Sequence, residues 1–247
     1  MRPFFITGIG TDVGKTLVAA ILTEALEGGY WKPVQAGYSE GTDSEWVKGV
    51  ISNPAGRVHP ERYKLALAAS PHIAAREEGV RIDLGEIEAS YKLLAASLKP
   101  AADRKESHLH PEKPLIIEGA GGLLVPLNEK EFVLDLAVRL DTTLILVSRN
   151  YLGSINHSLL TAEVCKAHGL RIAGWIFNDQ YLHYEEEIVR WSGIPALASI
   201  PRAEKPDAAF VRQQAERIRP LLQGLADNKM LTGGKGLTGG KDPAGAI

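Results

Sequence analysis

Short apolar runs alternate with longer amphipathic ones along this chain, the pattern of strand and crossover helix in a parallel sheet wound on both faces. FFIT at 4–7 is the first expected strand and KTLVAAILTEAL at 15–26 the helix that follows it. YWKPV at 30–34 reads as a second strand that must end near Pro33, because proline has no N–H to give a central ladder. Lys32 is thereby placed at a strand's carboxyl end. PLIIE at 114–118, TTLILV at 142–147, RIAGWIFN at 171–178 and PALASI at 195–200 are further strands, with helices expected over 154–168, near 182–192 and over about 206–225. The stretch from 43 to 100 reads as largely helical: DSEWVKGVI, a turn at Asn53 to Gly56, ERYKLALAAS, then IDLGEIEASYKLLAASL. AADRKESHLHPEK at 101–113 is polar and reads as a loop, where His108 and His110 are expected to be solvated rather than metal-bound, since no Cys or third His accompanies them.

Composition narrows this picture. A chain of 247 residues with 45% hydrophobic content can fill a continuous core, and one domain over 1–226 is the simplest arrangement. The tail, 227–247, repeats LTGGK twice and is too rich in glycine to bury a core, so it is expected to be disordered and without chemistry. The 28 Lys and Arg nearly balance 30 Asp and Glu and form no basic block, which argues against a nucleic-acid partner. Cys165 is the only cysteine, so there is no disulfide framework; in AEVCKAHGL it reads as a packed core thiol. Only four apolar residues precede Thr7, too few for a signal-peptide core, and no run approaches the roughly 20 apolar residues of a membrane span. A soluble, cytoplasmic protein with no membrane partner is expected.

The chemistry begins at GIGTDVGKT, residues 8–16, between the first strand and its helix. Backbone N–H groups and a helix N-terminus at that junction attract phosphate. The common GxxxxGK[ST] spacing would put its first glycine at position 9, which is Ile9, so Gly8 or Gly10 must serve and the loop is a variant. A glycine turn at a helix start is the bland alternative; the strand before and LVAAIL after favour phosphate. Lys15 would then reach the β and γ phosphates and Thr16 would ligate magnesium. Other polar residues sit at carboxyl ends of strands, where open α/β sheets bind ligands. Glu118 ends LIIE and is trailed by the glycines of GAGG; Asp43 in GTDSEW serves at least as an N-cap or first-turn carboxylate. Asn178 ends RIAGWIFN and either reads a base edge or caps a turn.

Taken in order, GTDVGKT, KPVQAG, TDS, ASPH, IIEGAGGLLVPL, LGSINHSLLT and LRIAGWIFND resemble the dethiobiotin synthetase family over about residues 3–202. The resemblance implies an α/β fold with a doubly wound, mainly parallel sheet flanked by helices, of the P-loop NTPase kind. It implies a homodimeric enzyme that uses ATP and magnesium to convert 7,8-diaminononanoate and carbon dioxide into dethiobiotin, ADP and phosphate. Carried over by position, the nucleotide is held by Asp12, Val13, Gly14, Lys15, Thr16 and Leu17, by Glu118, Gly119, Ala120 and Gly121, and at its adenine end by Asn178, Asp179, Pro201, Arg202 and Ala203. Thr16, Asp43 and Glu118 surround magnesium with hard oxygens. Lys32, with Lys15, is the catalytic lysine. Thr11, Lys32 and Ala36 face substrate, and Gly153, Ser154, Ile155 and Asn156 bind its carboxylate across the dimer interface, where a helix N-terminus suits an anion. His157 is expected to be structural. Two departures stand out: Ala36 replaces a frequent Ser or Thr of the family, and IPRAEKP matches little beyond Ile200 and Pro201.

Two rival readings remain, one within the enzymes that share the variant loop and one from a different class. Cobyrinic acid diamide synthases carry an attached glutaminase with a nucleophilic cysteine, whereas this chain has only Cys165. Partitioning ATPases want an extra lysine early in the phosphate loop and a basic or amphipathic contact surface; GIGTDVG has no such lysine.

Overall fold

The computed structural model describes residues 2–98 and 113–226, so the expected tail, His108, His110 and all but Lys113 of the expected 101–113 loop lie outside the described residues. Seven strands form a parallel sheet. From one edge they run β4 (Val58–His59), β2 (Gly29–Trp31), β6 (Leu115–Glu118), β1 (Phe4–Gly8), β7 (Thr143–Arg149), β8 (Ile172–Asn178) and β9 (Ala196–Ile200). Every pairing in it is parallel. The chain moves outward from β1 to β2 and β4, returns to insert β6 between β2 and β1, and then builds the other side through β7 to β9. That insertion makes the carboxyl ends of β2, β6 and β1 immediate neighbours.

The strands at the centre are apolar on both faces, as a sheet covered on both sides requires. Phe4 and Ile6 point into a core shared with α1 (Lys15–Ala25), α2 (Asp43–Val50) and α8 (Ala208–Ala226), where Val18, Ile21, Leu22, Val47, Val211 and Ile218 are buried. Phe5 points to the opposite face, into a cluster with Ile82 and with Ile87 of α4 (Leu84–Ser97) and Leu136 of α5 (Val133–Arg139). Further along that face α6 (Ser154–Ala167) and α7 (Tyr184–Ser192) cover Trp175 and Phe177. Cys165 is buried there, its thiol pushed up to about 12 by burial, a core residue as expected. Among the described residues no helix is long and apolar enough to cross a membrane.

The second strand ends near Pro33 as expected, at Trp31; what the sequence did not show is that Val34 begins a new strand, β3 (Val34–Ala36), which pairs in a separate two-stranded sheet with β5 (Tyr63–Leu65). The ladder stops two residues before Pro33, leaving Lys32 between two sheets. One expectation needs correction. The segment 61–70 is not helical despite its Leu and Ala content. Tyr63 and Leu65 are buried while Lys64 is exposed, so the alternation of a strand overrides helix propensity. Its partner β3 supplies the hydrogen bonds, and only Pro71 restarts a helix, α3 (Pro71–Glu77). The sequence also gave no warning of α5.

Helix α2 matters most for the site because it carries Asp43 in its first turn. Thr42 caps it reciprocally with Glu45: the Thr42 hydroxyl accepts from Glu45 N at 3.1 Å and the Glu45 carboxylate accepts from Thr42 N at 2.8 Å. Thr42→Ala is expected to cost about 1 kcal/mol, lowering Tm by roughly 2–4 °C; a calorimetric Tm equal to that of the parent would show that the cap contributes nothing.

Candidate active site

Period-two alternation and strand register build the centre of the site. Tyr30 pairs with Ile116 and Trp31 with Ile117, so continuing the register sets Lys32 opposite Glu118. Tyr30, Lys32, Ile116 and Glu118 therefore share one face of two adjacent strands. Glu118 is 1% exposed, and each of its oxygens has its own donors. Oε1 accepts from Thr16 Oγ1 at 2.9 Å and from Lys32 Nζ at 3.2 Å; Oε2 accepts from Tyr30 Oη at 2.8 Å. Lys32 also donates to Asp43, so its ammonium bridges two carboxylates. Burial works against that charge, but attraction to Glu118 and Asp43 and the bonds to both hold the Lys32 pKa above its ordinary value. Burial also pushes the Tyr30 phenol far up, with Glu118 next in effect, so it remains a donor.

The phosphate loop faces this pair from β1. Gly14 adopts φ 88° as the N-cap of α1 and contributes no side-chain cap, leaving the first N–H groups of the helix free of a capping side chain. A side chain at Gly14 would collide with Asn178, whose Nδ2 donates to Val13 O at 3.1 Å. Asn178 is thus neither a turn cap nor free to swing: it braces the phosphate loop. Lys15 folds back along the loop and donates to Gly10 O at 2.8 Å. Burial pulls its pKa below the ordinary value, opposed chiefly by Glu118. A cation held in that state gains from any polyanion brought to the helix N-terminus.

The third wall comes from the segment after β3. Gln35 is buried; its Nε2 donates to Gly37 O at 2.8 Å and its Oε1 accepts from Asp43 N at 3.3 Å, fixing the start of α2. Together these elements enclose a cavity of about 790 Å³. Of the residues expected from the sequence, Thr11, Asp12, Gly14, Lys15, Thr16, Lys32, Ala36, Asp43, Glu118, Ala120 and Gly121 line it. Val13 is buried, and it, Leu17 and Gly119 do not line the cavity. Asn178 and Asp179 adjoin Ile200 through parallel pairing and the bond from Asp179 N to Ile200 O at 3.1 Å, which brings them beside Pro201, Arg202 and Ala203, outside the cavity. Gly153, Ser154, Ile155 and Asn156 open α6 away from the cavity, and His157 bonds the Tyr151 hydroxyl at 2.8 Å.

Sequence reading gave no role to Tyr30, Gln35, Ala68, Ala69, Ser70 or Val125. ASPH had marked the Ser70 segment without saying why, whereas Gln35 and Tyr30 carry no signal of their own and become visible only through their partners. Ser70 lines the cavity that also holds Ala36, so a hydroxyl missing at one position is present at another.

Thr16, Asp43 and Glu118 offer oxygen atoms only, the donor chemistry that suits magnesium rather than a soft metal. Lys32 already bridges the two carboxylates as a cation, which shows that the pair is arranged to hold positive charge. The residues present fit the ion. Among the described residues no cluster of three His, Cys, Asp or Glu side chains forms a second candidate centre.

Comparison with known proteins covers nearly the whole chain. The family model described as "AAA domain" matches residues 2–209. The ATP-dependent dethiobiotin synthetase BioD of Cytophaga hutchinsonii is 45% identical, over 88% of this chain and 97% of the relative. That of Christiangramia forsetii is 40% identical over 90% of this chain and 98% of the relative. Among solved structures, the MinD cell division protein of Aquifex aeolicus superposes with a TM-score of 0.54 at 15% identity, covering 92% of this chain and 98% of that one. The septum site-determining protein MinD of Pyrococcus horikoshii, complexed with Mg-ADP, gives 0.51 at 18%, covering 91% and 98%. The latter two share the P-loop NTPase fold and nothing finer follows from them, whereas sequence identity of this extent, spread over nearly the whole chain, decides the matter: the chain belongs to the dethiobiotin synthetase family.

Proposed function

We propose that this chain is an ATP- and magnesium-dependent dethiobiotin synthetase, a ligase that closes a cyclic urea on 7,8-diaminononanoate. The observation that carries the reading is the placement of two buried lysines, Lys15 and Lys32, in one cavity with the oxygens of Thr16, Asp43 and Glu118. In the reaction one substrate amine adds to carbon dioxide and loses a proton, giving a carbamate. A carbamate oxygen then displaces ADP from the γ-phosphorus. The second amine attacks the carbamoyl carbon, and phosphate departs as the ring closes. Negative charge is concentrated at each stage, so fixed cations and dipoles rather than a covalent nucleophile are what the site must supply.

The residues divide that work. The α1 N-terminus and Lys15 hold the triphosphate, with Asn178 keeping the loop in shape from behind. Thr16, Asp43 and Glu118 would hold magnesium, which supplies charge neutralisation on the phosphate oxygens when bound. Lys32, in the break between β2 and β3 beside Pro33, reaches the carbamate and the transferring phosphoryl group. Thr11 and Ala36 face the substrate, and Ser70 supplies a hydroxyl on that wall. Asn178, Asp179, Pro201, Arg202 and Ala203 form the adenine end.

The Gly153–Asn156 segment serves a second protomer's site in a homodimer. What supports this is that it does not line its own cavity, the helix start at Gly153 with no side-chain cap, and the exposed Leu152 and Leu160 near it. Residues 1–226 act as a single catalytic domain, and the glycine-rich tail takes no part in the chemistry.

The deciding assay supplies purified protein with ATP, magnesium, bicarbonate and 7,8-diaminononanoate, and looks for dethiobiotin by mass; ATP hydrolysis indifferent to the diamine would sink the assignment. Lys32→Ala is expected to lower turnover by at least about 10²–10³-fold with nucleotide affinity largely unchanged, and a near-normal rate removes this lysine from the mechanism. The same variant should lose about 3 kcal/mol of stability, because Glu118 is left buried without its cation. Since the folded pKa of Lys32 is raised, that stabilisation is complete below pH 10.5 and fades only as pH climbs through the raised value. The Tm difference between the two proteins should therefore stay constant from neutral pH to about 9. Mixing Lys32→Ala with Asn156→Ala protomers tests the shared site. In an equimolar mixture half the dimers are mixed and each holds one whole site, so roughly a quarter of parental activity should return; no recovery would confine each site to one protomer.

A further inference from the structure

Tyr30 has no place in the mechanism above, yet its hydroxyl is fully buried and aimed at the centre of it. Burying a phenol costs free energy unless the oxygen is bonded, and an apolar ring alone would fill the space between β2 and α1. Its partner is Glu118 Oε2 at 2.8 Å, whereas Thr16 and Lys32 both bond Oε1. Among the described residues no other hydrogen bond reaches Oε2. The arrangement follows from register: Tyr30 is the diagonal neighbour of Glu118 on the same face, close enough for a long side chain to reach. The Tyr30 ring lies in the core shared with α1 and α2 and does not line the cavity.

We infer that Tyr30 is a positioning residue: its hydroxyl anchors Oε2 so that Oε1 of Glu118 stays turned toward Thr16 and the divalent cation. The inference rests on the reading of Glu118 as a magnesium ligand. Without the phenol, Oε2 would be buried with no donor. The carboxylate would then turn to share Lys32 between its two oxygens, drawing charge away from the cation position and tying Lys32 down. Partners behind a metal ligand commonly change metal affinity by about 10–100-fold when removed.

The test titrates Mn²⁺, followed by its electron paramagnetic resonance, into parental protein and Tyr30→Phe in the presence of a non-hydrolysable ATP analogue. Affinity for the analogue alone is measured in parallel in EDTA. Mn²⁺ affinity is expected to fall about 10-fold or more while metal-free analogue affinity stays unchanged, and the magnesium concentration for half-maximal rate should rise with it. Unchanged Mn²⁺ affinity in a folded Tyr30→Phe protein overturns the inference. So does an equal fall in metal-free affinity, which marks a merely structural role. Glu118→Gln separates the two readings: if it binds Mn²⁺ like the parent, Glu118 is no ligand and the underlying assignment fails first. Should Tyr30→Phe not fold, Tyr30→Met fills the space flexibly, also lacks the donor, and is judged by the same criteria.

Discussion

A carboxylate buried at the end of a central parallel strand costs several kcal/mol unless it is paired and hydrogen-bonded, and the site is organised around meeting that demand for Glu118. Its three donors come from three places in the chain: Thr16 from α1, Tyr30 from within β2, and Lys32 from the break between β2 and β3. Asp43, brought by α2, shares Lys32 with it. The one buried charge therefore ties the phosphate loop, the strand break at Pro33 and the start of α2 to one another. Losing any of these elements would take a partner from a carboxylate that is only 1% exposed.

The two lysines illustrate how burial of the same group serves different ends. Lys32 lies between two carboxylates and is held more firmly protonated than usual. Lys15 is nearly as buried but bonds only a backbone carbonyl, and its charge is disfavoured. The first is satisfied by side chains within the protein; the second would gain from an anionic ligand, and in the proposed reaction a triphosphate at the loop would supply it while the two carboxylates would take the cation. The irregular spacing of the loop is compatible with this because its shape is set from outside: Gly14 takes a left-handed turn and Asn178 clamps Val13 from β8.

Much of this was readable from residue patterns. Alternating apolar runs and amphipathic helices gave the parallel sheet and most of its strands, since period and glycine or proline punctuation are local properties. Lys15, Thr16, Lys32 and Glu118 could be singled out because each stands where a strand or loop meets a ligand-binding edge. The helical reading of 61–70 failed for the converse reason. Ala and Leu favour a helix locally, but Tyr63 and Leu65 are captured by β3, a partner nearly thirty residues earlier in the chain.

What the sequence determined by itself was the family, the fold and the chemical types assembled at strand ends. What only tertiary structure decided was mutual placement: that β6 inserts between β2 and β1 and so brings Glu118 against Lys32, that Gln35 holds Asp43 by its backbone, and that Tyr30 anchors the far oxygen of Glu118. The carboxyl-end residues at Gly153 to Asn156 were likewise legible as a motif, but their position away from the cavity was not. The physical reason is common to all of these. Period and propensity act over a few neighbouring residues, whereas register and insertion order are settled by pairing between segments far apart in the chain, and the bonds that define the site exist only after that pairing.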